Sequence, residues 1–160
     1  MRLAILGATG GVGKHLVEQG LERGHALTLL VRAHAQVAER PGVRVLRGSL
    51  EDAAQVDAAF EGAEAVLSCI GMQRRNPANP WSASLSPPDL TSATARLVVD
   101  GMWRQRVPRV VAVSAAGVGE SGARLNLVMR FFLATTMIGT AYRDLARMEE
   151  TYAASGLDWL

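Results

Sequence analysis

The chain has 160 residues, 49% of them apolar, which suits one domain with a sizeable core. Its net charge of +2 comes from 16 arginines and one lysine against 15 acidic residues, and its short basic stretches, Arg74-Arg75 and Arg104 to Arg109, lack interleaved aromatics, so nucleic acid is not an expected partner. The single cysteine, Cys69, excludes an internal disulfide and a multi-cysteine zinc site and points to a reducing, cytoplasmic setting.

In chain order, Leu3 to Leu6 is a short apolar run that leads directly into a glycine-rich segment, without the flanks of a secretory leader. Val12, Leu16, Val17, Gly20 and Leu21 then recur at helical spacing, and Gly24 stops that helix. Ala26 to Val31 is a second apolar strand, completing one βαβ unit of the kind found in parallel sheets covered on both faces. Val43 to Leu46 reads as a third strand, and Ser49 with Asp52 has capping-box spacing ahead of a helix carrying Val56 and Phe60. Ala65 to Ile70 reads as strand four and Val110 to Ser114 as strand five. Between them Ser86-Pro87-Pro88-Asp89 opens a helix with Leu90, Leu97, Val98 and Met102 inward. The segment Met72 to Ser84, with two prolines, two asparagines and Trp81, is irregular.

The most lipid-like stretch, Leu125 to Ile138, contains Arg130 and falls short of the ~20 apolar residues that a span requires. No membrane contact is expected; the stretch reads as a buried helix or as a contact surface for a homodimer. Ala141, Leu145, Met148 and Tyr152 form the inner stripe of a last helix ended by Gly156, and Leu157 to Leu160 begins a sixth strand within which the sequence stops. The predicted fold is therefore a single α/β domain, a doubly wound parallel sheet of Rossmann type with strand order 3-2-1-4-5.

In such sheets ligands sit at the carboxyl ends of the strands, where the order reverses. The segment Gly7-Ala8-Thr9-Gly10-Gly11-Val12-Gly13 lies there, between a strand and a helix. A pyrophosphate approaching the positive end of that helix requires a tight turn and bare backbone, which Gly7, Gly10 and Gly13 supply, while Thr9 and the Gly11 amide add hydrogen-bond donors. This context makes the segment a dinucleotide-binding loop rather than a mere turn. Strand two ends at Arg32, 19 residues after Gly13, where an NAD site usually places an acid. A guanidinium there suits a 2′-phosphate, so NADP(H) is the expected cofactor and NAD(H) the alternative; a surface arginine extending off the strand end is the structural alternative for Arg32. Ser49-Leu50 would flank the adenine and Ile70-Gly71 the middle of the cofactor; a cap and a turn glycine are the structural alternatives.

Catalytic residues are read partly by omission. The tyrosine and lysine pair usual for reductases of this architecture is excluded, because the only lysine is Lys14 and the residue four beyond Tyr142 is Ala146. His15, His25 and His34 all lie in the first 34 residues, and neither a nucleophilic triad nor a metal site is read from them. The candidates left near the nicotinamide end are Ser114 and Tyr142, with a turn cap as the alternative role for Ser114. Hydride transfer itself needs chiefly a bound nicotinamide, correct distance and excluded water.

The runs Leu3-Ala-Ile-Leu-Gly-Ala-Thr-Gly-Gly-Val-Gly13, Leu30-Val-Arg32, Gly48-Ser-Leu-Glu-Asp52, Val111-Ala-Val-Ser-Ala-Ala-Gly117 and Glu149 through Trp159 resemble the atypical short-chain dehydrogenase/reductases. The likeness is to their NAD(P)H-binding branch, which includes biliverdin reductase B (flavin reductase) and NmrA-like proteins. The resemblance implies NADP(H) along Gly7 to Gly13, Arg32, Leu50 and Gly71, with a small-molecule substrate over the nicotinamide near Ser114. It also implies an acidic residue where Ser49 stands, and a C-terminal part beyond Leu160 that closes the substrate pocket. Three functions follow as expectations: an NADPH-dependent reductase of a small flat acceptor, a redox-sensing protein that binds dinucleotide without turnover, and, third, an epimerase or dehydratase.

Overall fold

The computed structural model describes residues 1–160, apart from the side chains of Glu120, Ala123 and Arg124. Six parallel strands, β1 (Arg2–Leu6), β2 (Ala26–Val31), β3 (Val43–Arg47), β4 (Ala65–Ser68), β5 (Arg109–Ala112) and β6 (Asp158–Trp159), form one sheet in the order β3-β2-β1-β4-β5-β6. The order reverses between β1 and β4, as anticipated, and all carboxyl ends lie on one edge. The sixth strand is formed: Asp158 and Trp159 pair with Arg109 and Val110.

Helices α1 (Gly11–Glu22), α2 (Ala53–Phe60), α3 (Leu90–Gln105), α4 (Leu127–Thr135) and α5 (Met137–Ala154) complete the chain, with a 3-10 turn at Gly119–Arg124. Because consecutive strand residues point to opposite faces, the unbroken apolar strands feed two cores. Ala4, Leu6, Val66 and Val110 pack with Val56, Phe60, Val98, Met102, Met148 and Tyr152 of α2, α3 and α5. Leu3, Ile5, Leu27, Leu29 and Val31 form the other core, against Leu16, Val17 and Leu21 of α1. Gly20 lets α1 approach the sheet: a Cβ there would stand 3.0 Å from Leu27.

Several local expectations are corrected. Val12 is half exposed rather than inward, since α1 begins at Gly11 and Val12 faces out beside the loop. The cap of α2 is Asp52, whose carboxylate accepts from the Ala54 and Gln55 amides; Ser49 instead accepts from the Glu51 amide in the preceding turn. Helix α3 starts at Leu90, three residues later than a Ser86 cap would give, because the Ser86 hydroxyl is taken by the Gln73 amide. Strand four ends at Ser68, so Cys69 and Ile70 lie past it, and strand five ends at Ala112, two residues short of Ser114. The Leu125 to Ile138 stretch is not a buried helix: α4 has no buried residue, and Leu127, Val128 and Phe131 are largely exposed. Among the described residues no helix is long and apolar enough to cross a membrane.

Candidate functional site

The glycine loop lies on the carboxyl edge of β1, beside the reversal of strand order. Gly7 has φ +76°, and a Cβ on it would lie 2.7 Å from the Cys69 carbonyl oxygen. At Gly13 a Cβ would fall 2.1 Å from the Gly7 carbonyl oxygen and 2.8 Å from the Ala8 Cα. Both positions are glycine because backbone passes against backbone there. Gly10 is closer to tolerant, at 3.3 Å from the Gly7 oxygen, while a Cβ at Gly11 would meet nothing. Only two of the four glycines are thus demanded by the fold.

Gly10 is the N-cap of α1, with no side-chain cap and no acid in the first turn. The first bond of the helix runs from the Lys14 amide to the Gly10 carbonyl, so the Gly11, Val12 and Gly13 amides precede the hydrogen-bonded ladder. An anion placed at this end would meet backbone donors and the positive pole of α1.

The other nucleotide-side residues follow from the strand ends. Arg32 is exposed just past β2, where the Ala35 amide closes a turn onto its carbonyl, and no salt bridge joins it to a described residue. Gly48, past β3, is tied to β2 through its amide and the Val31 carbonyl. The Ser49 amide donates to Gln55 Oε1 at 2.8 Å, so its amide, hydroxyl and carbonyl all serve the turn. Leu50 and Ile70 are half-buried and lean on the α2–α3 core. Gly71 is exposed, with open space around its Cβ position. A cleft of about 190 Å³ lies between α1 and the chain after β2, lined by Thr9, Lys14, Gln36 and Arg40 among others. A larger, shallow hollow near Arg2, Gly42 and Arg44 is at the amino ends of the strands, the wrong edge for this fold's ligands.

At the far end of the same edge, Ser114 follows β5 and donates to Glu149 Oε1 of α5 at 2.5 Å. Tyr142, two turns earlier on α5, donates to the Ala116 carbonyl at 3.2 Å. The two residues singled out as catalytic candidates are therefore brought to one short segment, 114–117. Glu149 was missed as a partner of Ser114, although helical spacing places it beside Leu145 and Tyr152, on the border of the buried stripe.

A second carboxylate was missed. Asp144 is fully buried and accepts from the Thr91 amide at 2.7 Å, the Thr91 hydroxyl at 2.5 Å and the Ser92 amide at 3.3 Å, with Arg147 at 3.2 Å. It caps α3 from another helix. Burial pushes its carboxyl up, but the hydrogen bonds from Ser92 and Thr91 outweigh burial and hold it below the usual carboxylate range. Burial also pushes the Tyr152 phenol up to about 12, against a small opposing effect of the Ser68 hydroxyl, and the half-buried Cys69 thiol up.

Comparison with known proteins agrees with this fold. The family model described as NAD(P)H-binding matches residues 7–160. Among solved structures, the anaerobillin reductase ChuY of Escherichia coli O157:H7 is 25% identical, with TM-score 0.75, over 99% of this chain and 70% of that one. A short-chain dehydrogenase/reductase of Veillonella parvula, solved in complex with NADP, superposes with TM-score 0.75 at 18% identity, over 99% and 66% of the two chains, and shows the shared fold. Among curated relatives, the phenylcoumaran benzylic ether reductase PT1 of Pinus taeda is 32% identical over 44% of this chain and 26% of its own length. The oxidoreductase stcQ of Emericella nidulans is 25% identical over 98% of this chain and 61% of its own. The chain thus spans less than two thirds of these curated relatives.

Proposed function

The chain belongs to the NAD(P)H-binding family, and from that premise we propose that it is an NADPH-dependent reductase of a small flat acceptor: a flavin, a quinone or a carbonyl compound. The observation that carries the proposal is the open N-terminus of α1, where no side chain caps the helix and the Gly11, Val12 and Gly13 amides precede the hydrogen-bonded ladder at the point of strand reversal. Gly7 to Gly13, with Thr9 and Val12, would hold the pyrophosphate. Arg32 would grip the 2′-phosphate in two hydrogen bonds and so favour NADP(H) over NAD(H). Leu50 and Ile70, with Gly71 and the turn at Ser49, would line the path toward Ser114.

When bound, NADPH supplies the hydride, and with it both electrons. With no tyrosine–lysine pair in the sequence, the accompanying proton is assigned to solvent, which suits acceptors whose reduced anions are stable. Ser114 and Tyr142 then position the acceptor rather than protonate it. The names of the relatives, among them an anaerobillin reductase and a benzylic ether reductase, support a reductase reading.

The test is to mix purified protein with NADPH and a panel of flavin, quinone and carbonyl acceptors and to follow absorbance at the nicotinamide band. Acceptor-dependent loss of absorbance supports the reductase. Tight NADPH binding with no oxidation by any acceptor overturns it in favour of a redox-sensing protein that binds without turnover.

A further inference from the structure

We propose that Glu149 is a positioning residue that fixes Ser114 as a hydrogen-bond acceptor, so that the site selects acceptors presenting an N–H or O–H group at this point. This role presupposes the reductase activity proposed above. A serine hydroxyl has one hydrogen and two lone pairs, and an ionised carboxylate has no hydrogen to give. The 2.5 Å contact between Ser114 Oγ and Glu149 Oε1 therefore commits the serine hydrogen to the glutamate, in a charge-assisted bond of the stronger kind. The carboxylate is seated for this purpose. A Cβ on Gly119 would fall 2.4 Å from Glu149 Oε2, so the room for the carboxylate exists because residue 119 has no side chain.

Tyr142 repeats the pattern. Its partner, the Ala116 carbonyl, can only accept, so the phenolic hydrogen is also turned toward the protein. The Ser114 and Tyr142 hydroxyls thus both keep only lone pairs for a ligand. A ligand carbonyl directed at Ser114 would meet lone pairs with a carboxylate behind them, whereas an imide or lactam N–H would be met by a polarised acceptor. Among flat acceptors this favours ring systems with an N–H edge over quinones, which have none.

Lumiflavin and 3-methyllumiflavin separate the two cases, since they share the reducible ring and differ by one N–H replaced with N–CH3. The wild-type protein is expected to show a KM about tenfold lower for lumiflavin, the value of one good hydrogen bond at a solvent-accessible site. In Glu149→Gln the amide can donate to Ser114 Oγ and free the serine hydrogen, and the preference should shrink to about twofold, with NADPH affinity and Tm close to wild type. Ser114→Ala should remove the preference too, and carries the test alone if Glu149→Gln does not fold. Any steric effect of the methyl group persists in all three proteins, so a merely structural role for Glu149 would change both flavins alike and leave the ratio untouched. Equal KM values in the wild type, or an undiminished ratio in Glu149→Gln or Ser114→Ala, overturn this role while leaving the reductase standing. Reduction of neither flavin, nor of any other acceptor, overturns both.

Discussion

Helices α1 and α3 both present their N-termini near the carboxyl edge of the sheet, and the chain treats them in opposite ways. At α3 the first amides are satisfied from within: Asp144 reaches across from α5 to Thr91 and Ser92. At α1 no side chain caps the helix, and the residues around the free amides are glycines. The same physical asset, a positive helix end with unpaired donors, is used for folding in one place and left uncapped in the other. An open N-terminus is therefore informative only beside closed ones; α2 and α4, capped by Asp52 and Asn126, make the contrast sharper.

Substitutions at the two ends should separate stability from binding. The largest effect is expected for Gly13→Ala, whose Cβ would overlap the Gly7 carbonyl. The backbone must shift, costing about 3 kcal/mol, and both Tm and nucleotide affinity should fall together in thermal denaturation and titration. Next comes Asp144→Asn, which exchanges a buried acceptor of several hydrogen bonds for a group with half its accepting capacity. A loss of about 2 kcal/mol is expected in urea unfolding, while NADPH affinity per folded molecule stays unchanged.

The same variant predicts a pH signature. Because the folded carboxyl of Asp144 lies below its unfolded value, its stabilisation is complete above about pH 4 and is lost as pH falls through the folded value. Asp144→Asn should therefore flatten the acid limb of the stability profile. Gly11→Ala gives the smallest effect on the fold, since its Cβ meets nothing and alanine favours a helix. Tm should hold, yet NADPH affinity should drop about fivefold, or about 1 kcal/mol, if phosphate rests on that turn. Unchanged affinity would place the phosphate elsewhere.

The alternation of strands and helices was legible because apolar periodicity is a local property, and the position of the glycine loop followed from it. Local signals also misled. Ser49 and Ser86 both match cap patterns, but the Ser49 hydroxyl closes a competing local turn with the Glu51 amide and the Ser86 hydroxyl is engaged by the Gln73 amide, 13 residues away. Asp144 and Glu149 act on residues 53 and 35 positions away, and no spacing rule spans such distances. The one trace of Asp144 in the sequence was a carboxylate between Ala141 and Met148 on an inward helical face, a pattern that calls for a buried partner. The exposure of α4 was undecidable from its composition, since an apolar helix suits a core and a contact surface equally well.

In the proposed reading, the glycine loop and Arg32 together hold a dinucleotide bearing a 2′-phosphate. Titration of wild type and Arg32→Asp with NADPH and with NADH, followed by nicotinamide fluorescence, tests it most directly. The expected result is NADPH affinity about a hundredfold weaker in the variant and NADH affinity within about threefold of wild type. Equal losses for both nucleotides, or none for either, would contradict it.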